Sequence, residues 1–208
     1  MEVKNSNQQL AYVRAMLSSL KINAEVGKFI EYTAGFMAMK GVAGTATPAY
    51  DTAESEFTSN HIALKLASDL TGLDAASDVD VQSVELSIEK NPELIWKFKS
   101  NEPADIQNTV FAIEGNIEAV FDSTTLKAIH EGNTARALRL SLANTGVTIG
   151  TASNPGLVID LAKVKFHGWD KSGGMNETVK QSINFKAHYS MGDAKIATAI
   201  LTNTNASY

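Results

Sequence analysis

Cysteine is absent from the 208-residue chain, which excludes disulfides, thiolate nucleophiles and cysteine-ligated metals. The same absence suits reducing and oxidising surroundings alike. A basic surplus is also missing: 18 Lys and Arg stand against 23 Asp and Glu, a formal net charge of −5, with no basic run. Such a chain is a poor ligand for a phosphate backbone, because it has few cations to replace condensed counterions. No apolar stretch approaches the roughly 18 uninterrupted residues that a membrane-spanning helix needs. The opening residues MEVKNSNQQL lack a charged region followed by an apolar core, so no secretory signal is expected and folding in a cytoplasm is the simplest reading.

Chemical motifs are equally scarce. No Gly-rich loop ends in Gly-Lys-Ser/Thr, and no Gly-x-Ser-x-Gly elbow is present. The four histidines, His61, His130, His167 and His188, lie outside metal-ligand spacing of one another and read as surface or satisfied residues. Asp74, Ser77, Asp78 and Asp80 offer oxygen ligands but lack the glycine and terminal glutamate of a calcium loop. Glu85, Glu89, Glu114 and Glu118 stand on the polar faces of expected strands, where solvation is a better reading than acid–base work. The triplets Asn176-Glu177-Thr178 and Asn205-Ala206-Ser207 match a glycosylation site but carry no weight without a secretory signal. No catalytic, cofactor-binding or metal-binding residue is expected, and an enzyme is not expected.

What the sequence does contain is period-two alternation. An apolar fraction of 44% and a charged fraction of 20% are ordinary for a packed protein. Val84, Leu86 and Ile88 alternate with Glu85, Ser87 and Glu89, and Phe111 through Phe121 repeats the pattern. Two half-buried strands follow, joined by a polar connection holding Pro92 and Pro103. Earlier in the chain, a hairpin of residues 19–26 with 29–39 about Gly27-Lys28 is preferred, with a helix over 8–18 as the alternative. Residues 41–60 form a long Gly/Thr/Ser/Ala loop, a length that is uncommon unless functional or mobile. A short strand is expected from His61 to Leu66, then a connection over 70–78 with a single helical turn.

Asp122-Ser123 and Gly132 bracket a two-turn helix over 123–131. Leu138, Leu140 and Leu142 point inward from a strand, with Arg139 and Ser141 outward. The alternation from Leu157 to Phe166 slips phase, which places a bulge near Ala162-Lys163. A turn is expected over 168–176, a long strand over 179–189 and a last short one over 195–201. The expected core includes Phe111, Ile113, Ile117, Leu138, Leu140, Ile183 and Phe185. Eight to ten short strands, one short helix and Gly-rich connections describe a single mainly β domain over 1–208, a β-sandwich or barrel with one flanking α-helix and long loops. The two long strands around 29–39 and 179–189 carry small or polar residues where a closed monomer wants bulk. That leaves a partly apolar strand edge for a partner to cover.

The run from Val81 to Gly146 resembles the middle of tailed-phage major tail tube proteins, with a strand-loop-strand unit, a short helix and another strand. The closing run resembles theirs too: Val164 and Phe166, then Gln181, Ile183, Phe185 and Ala187, then Leu201 and Asn203. The resemblance covers about residues 79–203, with a looser match over 20–66. It implies a structural virion protein of the phage tail, made in the host bacterial cytoplasm. Its partners would be further copies of itself, in hexameric rings stacked as a hollow tube, and other tail proteins. DNA would pass through the lumen without sequence-specific binding, and no membrane or cofactor would be involved. The loop over 41–60 is expected to contact an adjacent subunit or ring. The alternative is a non-catalytic β-sandwich module that binds a receptor or carbohydrate, which would need exposed aromatics such as Trp96 or Trp169 to cluster. A hydrolase with dispersed acids is the remote third reading.

Overall fold

A computed structural model of the chain describes residues 1–4, 8–45 and 56–204. In chain order the strands begin with β1 (Glu2–Lys4), β2 (Gln9–Ala11), β3 (Ala15–Glu25), β4 (Glu31–Ala38) and β5 (Val42–Ala43). They continue with β6 (Ile62–Ala67), β7 (Ser83–Glu89), β8 (Pro92–Ile95), β9 (Asp105–Asn108) and β10 (Ala112–Val120). The helix α1 (Thr125–Glu131) precedes β11 (Arg136–Ala143), β12 (Gly156–Ser172), β13 (Lys180–Ala187) and β14 (Ala197–Thr202). The chain is mainly β, with one α-helix among the described residues, as its alternation predicts.

Nine strands share one sheet in the order β4-β3-β7-β10-β13-β12-β11-β6, with β14 pairing β12 beside the path. The chain divides into two compact units, and several of these strands contribute to both. One unit holds residues 1–21, 32–54 and 87–112. Within it, β1, β2 and β5 form a small antiparallel sheet, with Val3 opposite Leu10 and Leu10 opposite Ala43. The β8–β9 hairpin also belongs here, with Leu94 opposite Ile106.

The other unit holds residues 22–31, 55–86 and 113–208 and contains most of the core. Ile113, Ile117, Ala119, Leu138, Leu140, Leu142, Leu161, Val164, Ile183 and Phe185 are all buried. Apart from the step between Leu161 and Val164, they sit at alternate positions of their strands, the pattern of an antiparallel sheet packed on one side. The helix packs on β12 and buries Leu126 and Ile129. Its carboxyl end closes where the Gly132 N–H donates to the Ala128 carbonyl at 2.9 Å. A helix of two turns has no independent stability, so this packing holds it.

The phase slip in β12 is a bulge at the predicted place. Arg136 pairs with Val164 and Leu138 with Leu161, so Ala162 and Lys163 together oppose Ala137. A second bulge was not expected. His167 pairs with Asn184 and Asp170 with Ser182, so Gly168 and Trp169 oppose Ile183. Gly168 takes φ +63°, the left-handed conformation that a glycine-led bulge requires. The strand therefore runs on to Ser172, where the sequence predicts a turn from residue 168.

Other expectations need correction. The helical alternative over 8–18 gives way to β2 and the start of β3, because the spacing of Leu10, Val13, Leu17 and Leu20 does not outweigh pairing. The polar connection after β7 is not a plain loop but contains the β8–β9 hairpin, whose strands are too short for alternation to register. His61 belongs to a 3-10 turn over Ser59–His61, not to β6. The single helical turn expected in the 70–78 connection is present at Thr71–Leu73. Of the predicted core residues, Phe111 is 46% exposed. It lies one residue before β10, and alternation gives the face of a strand, not how far along the strand that face is covered.

The loop expected over 41–60 has ordered ends. Val42 and Ala43 pair β2, and the Phe57 carbonyl accepts the Ile30 N–H at 3.0 Å. Residues 46–55 of that loop lie outside the described residues.

Candidate assembly surfaces

The polar residues weighed as chemical candidates are scattered. His61 Nδ1 accepts the Thr58 N–H at 3.2 Å, and His130 Nδ1 lies 3.3 Å from the Phe166 carbonyl. His167 and His188 are exposed on separate stretches. Glu114 pairs with Lys186 at 2.5 Å and Glu118 with Lys180 at 2.7 Å, across the β10–β13 register. The Lys186 ammonium holds the Glu114 carboxyl below its ordinary pKa, first by hydrogen bonding and then by charge. Asn116 bridges Ser182 and Asn184 between these ion pairs. The acidic residues on these strands thus belong to a cross-strand ladder.

Asp74 binds Arg139 at 2.5 Å, and the same guanidinium grips Asp160 through Nε at 2.6 Å and a second nitrogen at 2.8 Å. These bonds raise the Arg139 pKa, and the fork geometry locks β11 to β12. Among the described residues, no group of three or more His, Asp or Glu is placed to hold a metal ion.

The sheet edges differ from one another. The β6 edge is partly covered: the Val79 N–H donates to the Leu64 carbonyl at 2.8 Å, and the backbones of Lys65 and Asp78 pair as a single antiparallel β-bridge. In contrast, β4 pairs only β3, and β14 pairs only β12, among the described residues. Both open strands carry exposed apolar side chains, Tyr32 and Phe36 on β4 and Ile200 and Leu201 on β14. Partial burial raises the Tyr32 phenol above its ordinary pKa. An open edge bearing apolar groups is a template for another strand.

The β8–β9 hairpin supplies a further exposed feature. Its turn is shaped by internal bonds: the Ala104 N–H donates to Ile95 at 2.7 Å, and the Ser100 hydroxyl accepts the Glu102 N–H at 3.1 Å while donating to the Glu102 carbonyl at 2.8 Å. Lys99 takes φ +65° to complete it. Trp96, 59% exposed, and Phe98, fully exposed, project from this tip beside Lys97 and Lys99. Trp169 is placed otherwise, against Phe121 with ring centroids 6.2 Å apart and with its indole N–H on Gln181 at 3.3 Å. The sequence named Trp96 but missed that Phe98 is exposed on the same hairpin tip. The apolar–lysine alternation of Leu94, Trp96 and Phe98 with Lys97 and Lys99 was the available signal.

A mainly β chain with open apolar edges and no assembled catalytic centre among its described residues has the character of an assembling structural protein. A family model for phage tail tube proteins matches residues 3–187, and the chain belongs to that family. It is a structural component of the phage tail, whose family assembles with itself and with other tail proteins. A search of curated proteins found no match. No helix among the described residues is long and apolar enough to cross a membrane.

Proposed function

We propose that copies of this chain, each acting as a single domain over 1–208, close into hexameric rings that stack into a hollow tube for phage DNA. The observation that carries the reading is the open β4 edge with Tyr32 and Phe36 exposed, in a chain of the tail tube family. Pairing that edge with a different strand of the next copy satisfies its free backbone groups and buries the two rings. A head-to-tail contact of this kind closes into a ring when the rotation per copy is right, and a second contact stacks the rings. The net charge of −5 favours passage of DNA over adhesion to it. In this reading the segment over 41–60 reaches an adjacent subunit or ring, and DNA delivery needs no catalytic residue. Synthesis takes place in the host cytoplasm.

The test is negative-stain microscopy with light scattering on the purified chain, alone and with tail-tip components. Rings or tubes are expected, and Tyr32→Lys with Phe36→Lys should leave a folded monomer that no longer forms them. Deleting 46–55 should likewise abolish polymerisation while leaving the fold. A chain that stays monomeric at every concentration and never joins tails would overturn the proposal. The exposed Trp96–Phe98 pair is the observation that favours the second reading, a carbohydrate-binding module. Glycan binding by a monomer that never assembles would establish that alternative.

A further inference from the structure

The tip of the β8–β9 hairpin has a counterpart in the unit that holds most of the core. A cleft of about 650 Å³ opens there, with Leu66, Ala119, Leu126 and Ile129 in its wall. Its polar lining includes three carboxylates, Asp78, Asp80 and Asp122, against the single cation Arg136. None of the three carboxylates takes part in an ion pair among the described residues. The cleft is apolar in part, acidic on balance and open to solvent.

The hairpin tip has the opposite character. Phe98 is fully exposed, Trp96 two residues before it is also exposed, and Lys97 and Lys99 are its neighbours in the chain. The nearby acid, Glu102, is already paired with Lys40 at 2.5 Å, so the lysines set the charge of the tip. The turn is preformed by its own hydrogen bonds, so docking it orders little additional chain. An aromatic anchor filling a pocket, with charge matched around it, is the arrangement that dominates binding at protein interfaces.

We propose that the β8–β9 tip of one copy seats Phe98 in this cleft of a second copy, with Lys97 and Lys99 against Asp78, Asp80 and Asp122. The inference rests on the tail-tube reading and adds to it a specific contact, distinct from pairing at the β4 edge. Each copy carries both the tip and the cleft, so the contact is head-to-tail and can be repeated from copy to copy. The lysines also separate this occupant from a neutral saccharide, which has no positive charge to set against the three carboxylates.

The absence of natural cysteine makes cross-linking a clean test. Asn101→Cys on the tip and Ser123→Cys in the cleft wall are combined in the full chain and treated with a short bismaleimide under assembling conditions. A ladder of linked copies is expected from the double variant, a linked dimer and nothing longer from a mixture of the two single variants, and neither from either single variant alone. Adding Lys97→Glu and Lys99→Glu should lower the linked fraction by about tenfold, and Asp80→Lys with Asp122→Lys should restore it. Tubes of unaltered appearance without the ladder would overturn the contact and leave the tail-tube reading standing. An unmodified chain that never assembles would overturn both. Saccharide binding that needs Trp96, in a chain with no ladder, would assign the tip to a different partner and overturn the contact.

Discussion

Gly115 gives the sharpest test of the packing. It sits in the middle of β10, where its neighbours on the same face, Ile113 and Ile117, are buried. Across the sheet it pairs with Phe185, which is fully buried. A Cβ built on Gly115 would lie 2.7 Å from Phe185 Cε1, and closer still to Phe185 Cζ and the Glu85 carbonyl oxygen. Carbon atoms in favourable contact stand about 3.5–4.0 Å apart. The ring has no open space to enter, since Phe166 lies edge-on to it at 6.4 Å, and the carbonyl cannot retreat without moving β7. Overpacking of this kind costs about 1–3 kcal/mol, and a backbone obstacle places Gly115→Ala toward the upper end. Restricting the unfolded chain offsets about 0.4–1 kcal/mol, which leaves a net loss of about 2 kcal/mol. In urea, with a slope of about 2 kcal/mol per molar, the unfolding midpoint of dispersed protein should fall by about 1 M with the slope unchanged. Combining Gly115→Ala with Phe185→Leu should recover little, because the carbonyl remains in the way. A midpoint equal to or above that of the parent would refute the reasoning. Full recovery in the double variant would move the constraint from the carbonyl to the ring.

Further consequences can be measured on the same dispersed protein. Ile183→Ala should lower stability by about 2–5 kcal/mol, whereas Phe111→Ala should cost roughly half as much or less, because Phe111 is 46% exposed. Arg139→Ala strands Asp160, whose side chain is only 14% exposed, and should cost about 2–3 kcal/mol; Asp74, 83% exposed, should cost less than about 1 kcal/mol when replaced by Ala. Glu114 and Asp69 have depressed folded pKa values, Glu114 chiefly through Lys186 and Asp69 chiefly through the Thr71 hydroxyl. Their contribution is therefore present above the ordinary carboxylate range, near pH ~4, and is lost as pH falls through the lower folded values. Thermal midpoints should decline across that acid window, and Asp69→Asn should flatten the decline without changing its sign.

How much of this was legible in the sequence depended on the length of each element. β10, β11 and β13 run for enough residues that apolar side chains repeat on one face several times, and Ile113, Ile117, Leu138, Leu140, Ile183 and Phe185 all proved buried. The bulge at Ala162-Lys163 was readable for the same reason, since a phase slip stands out only against a long regular pattern. The bulge at Gly168-Trp169 was hidden because Gly168, the polar run Asp170-Lys171-Ser172 and the two glycines after it have the composition of a turn. Only the φ of +63° and the pairing beyond it distinguish the two. β1, β2, β5, β8 and β9 have two to four residues each, too few for a period, so their existence depends on partners remote in sequence. The Trp96–Phe98 tip went unseen with them, because its meaning comes from the turn that leaves both side chains exposed.

The edges supply the physical reason for assembly. A strand edge left in water keeps its backbone groups hydrated, so openness alone is no defect. The cost comes from apolar side chains beside that edge, which give another chain a reason to pair there. On β6, the bond from the Val79 N–H to the Leu64 carbonyl and the β-bridge that pairs Lys65 with Asp78 occupy part of the ladder. β4 has no such cover among the described residues, and it carries Tyr32 and Phe36 where a protective charge or proline would stand in a protein selected to remain alone. Glu31, at its start, is the strand's only charged residue. Covering part of β6 while leaving β4 and β14 open and apolar restricts, among the described residues, where pairing can occur. Pairing restricted to those strands favours a defined assembly over indiscriminate aggregation.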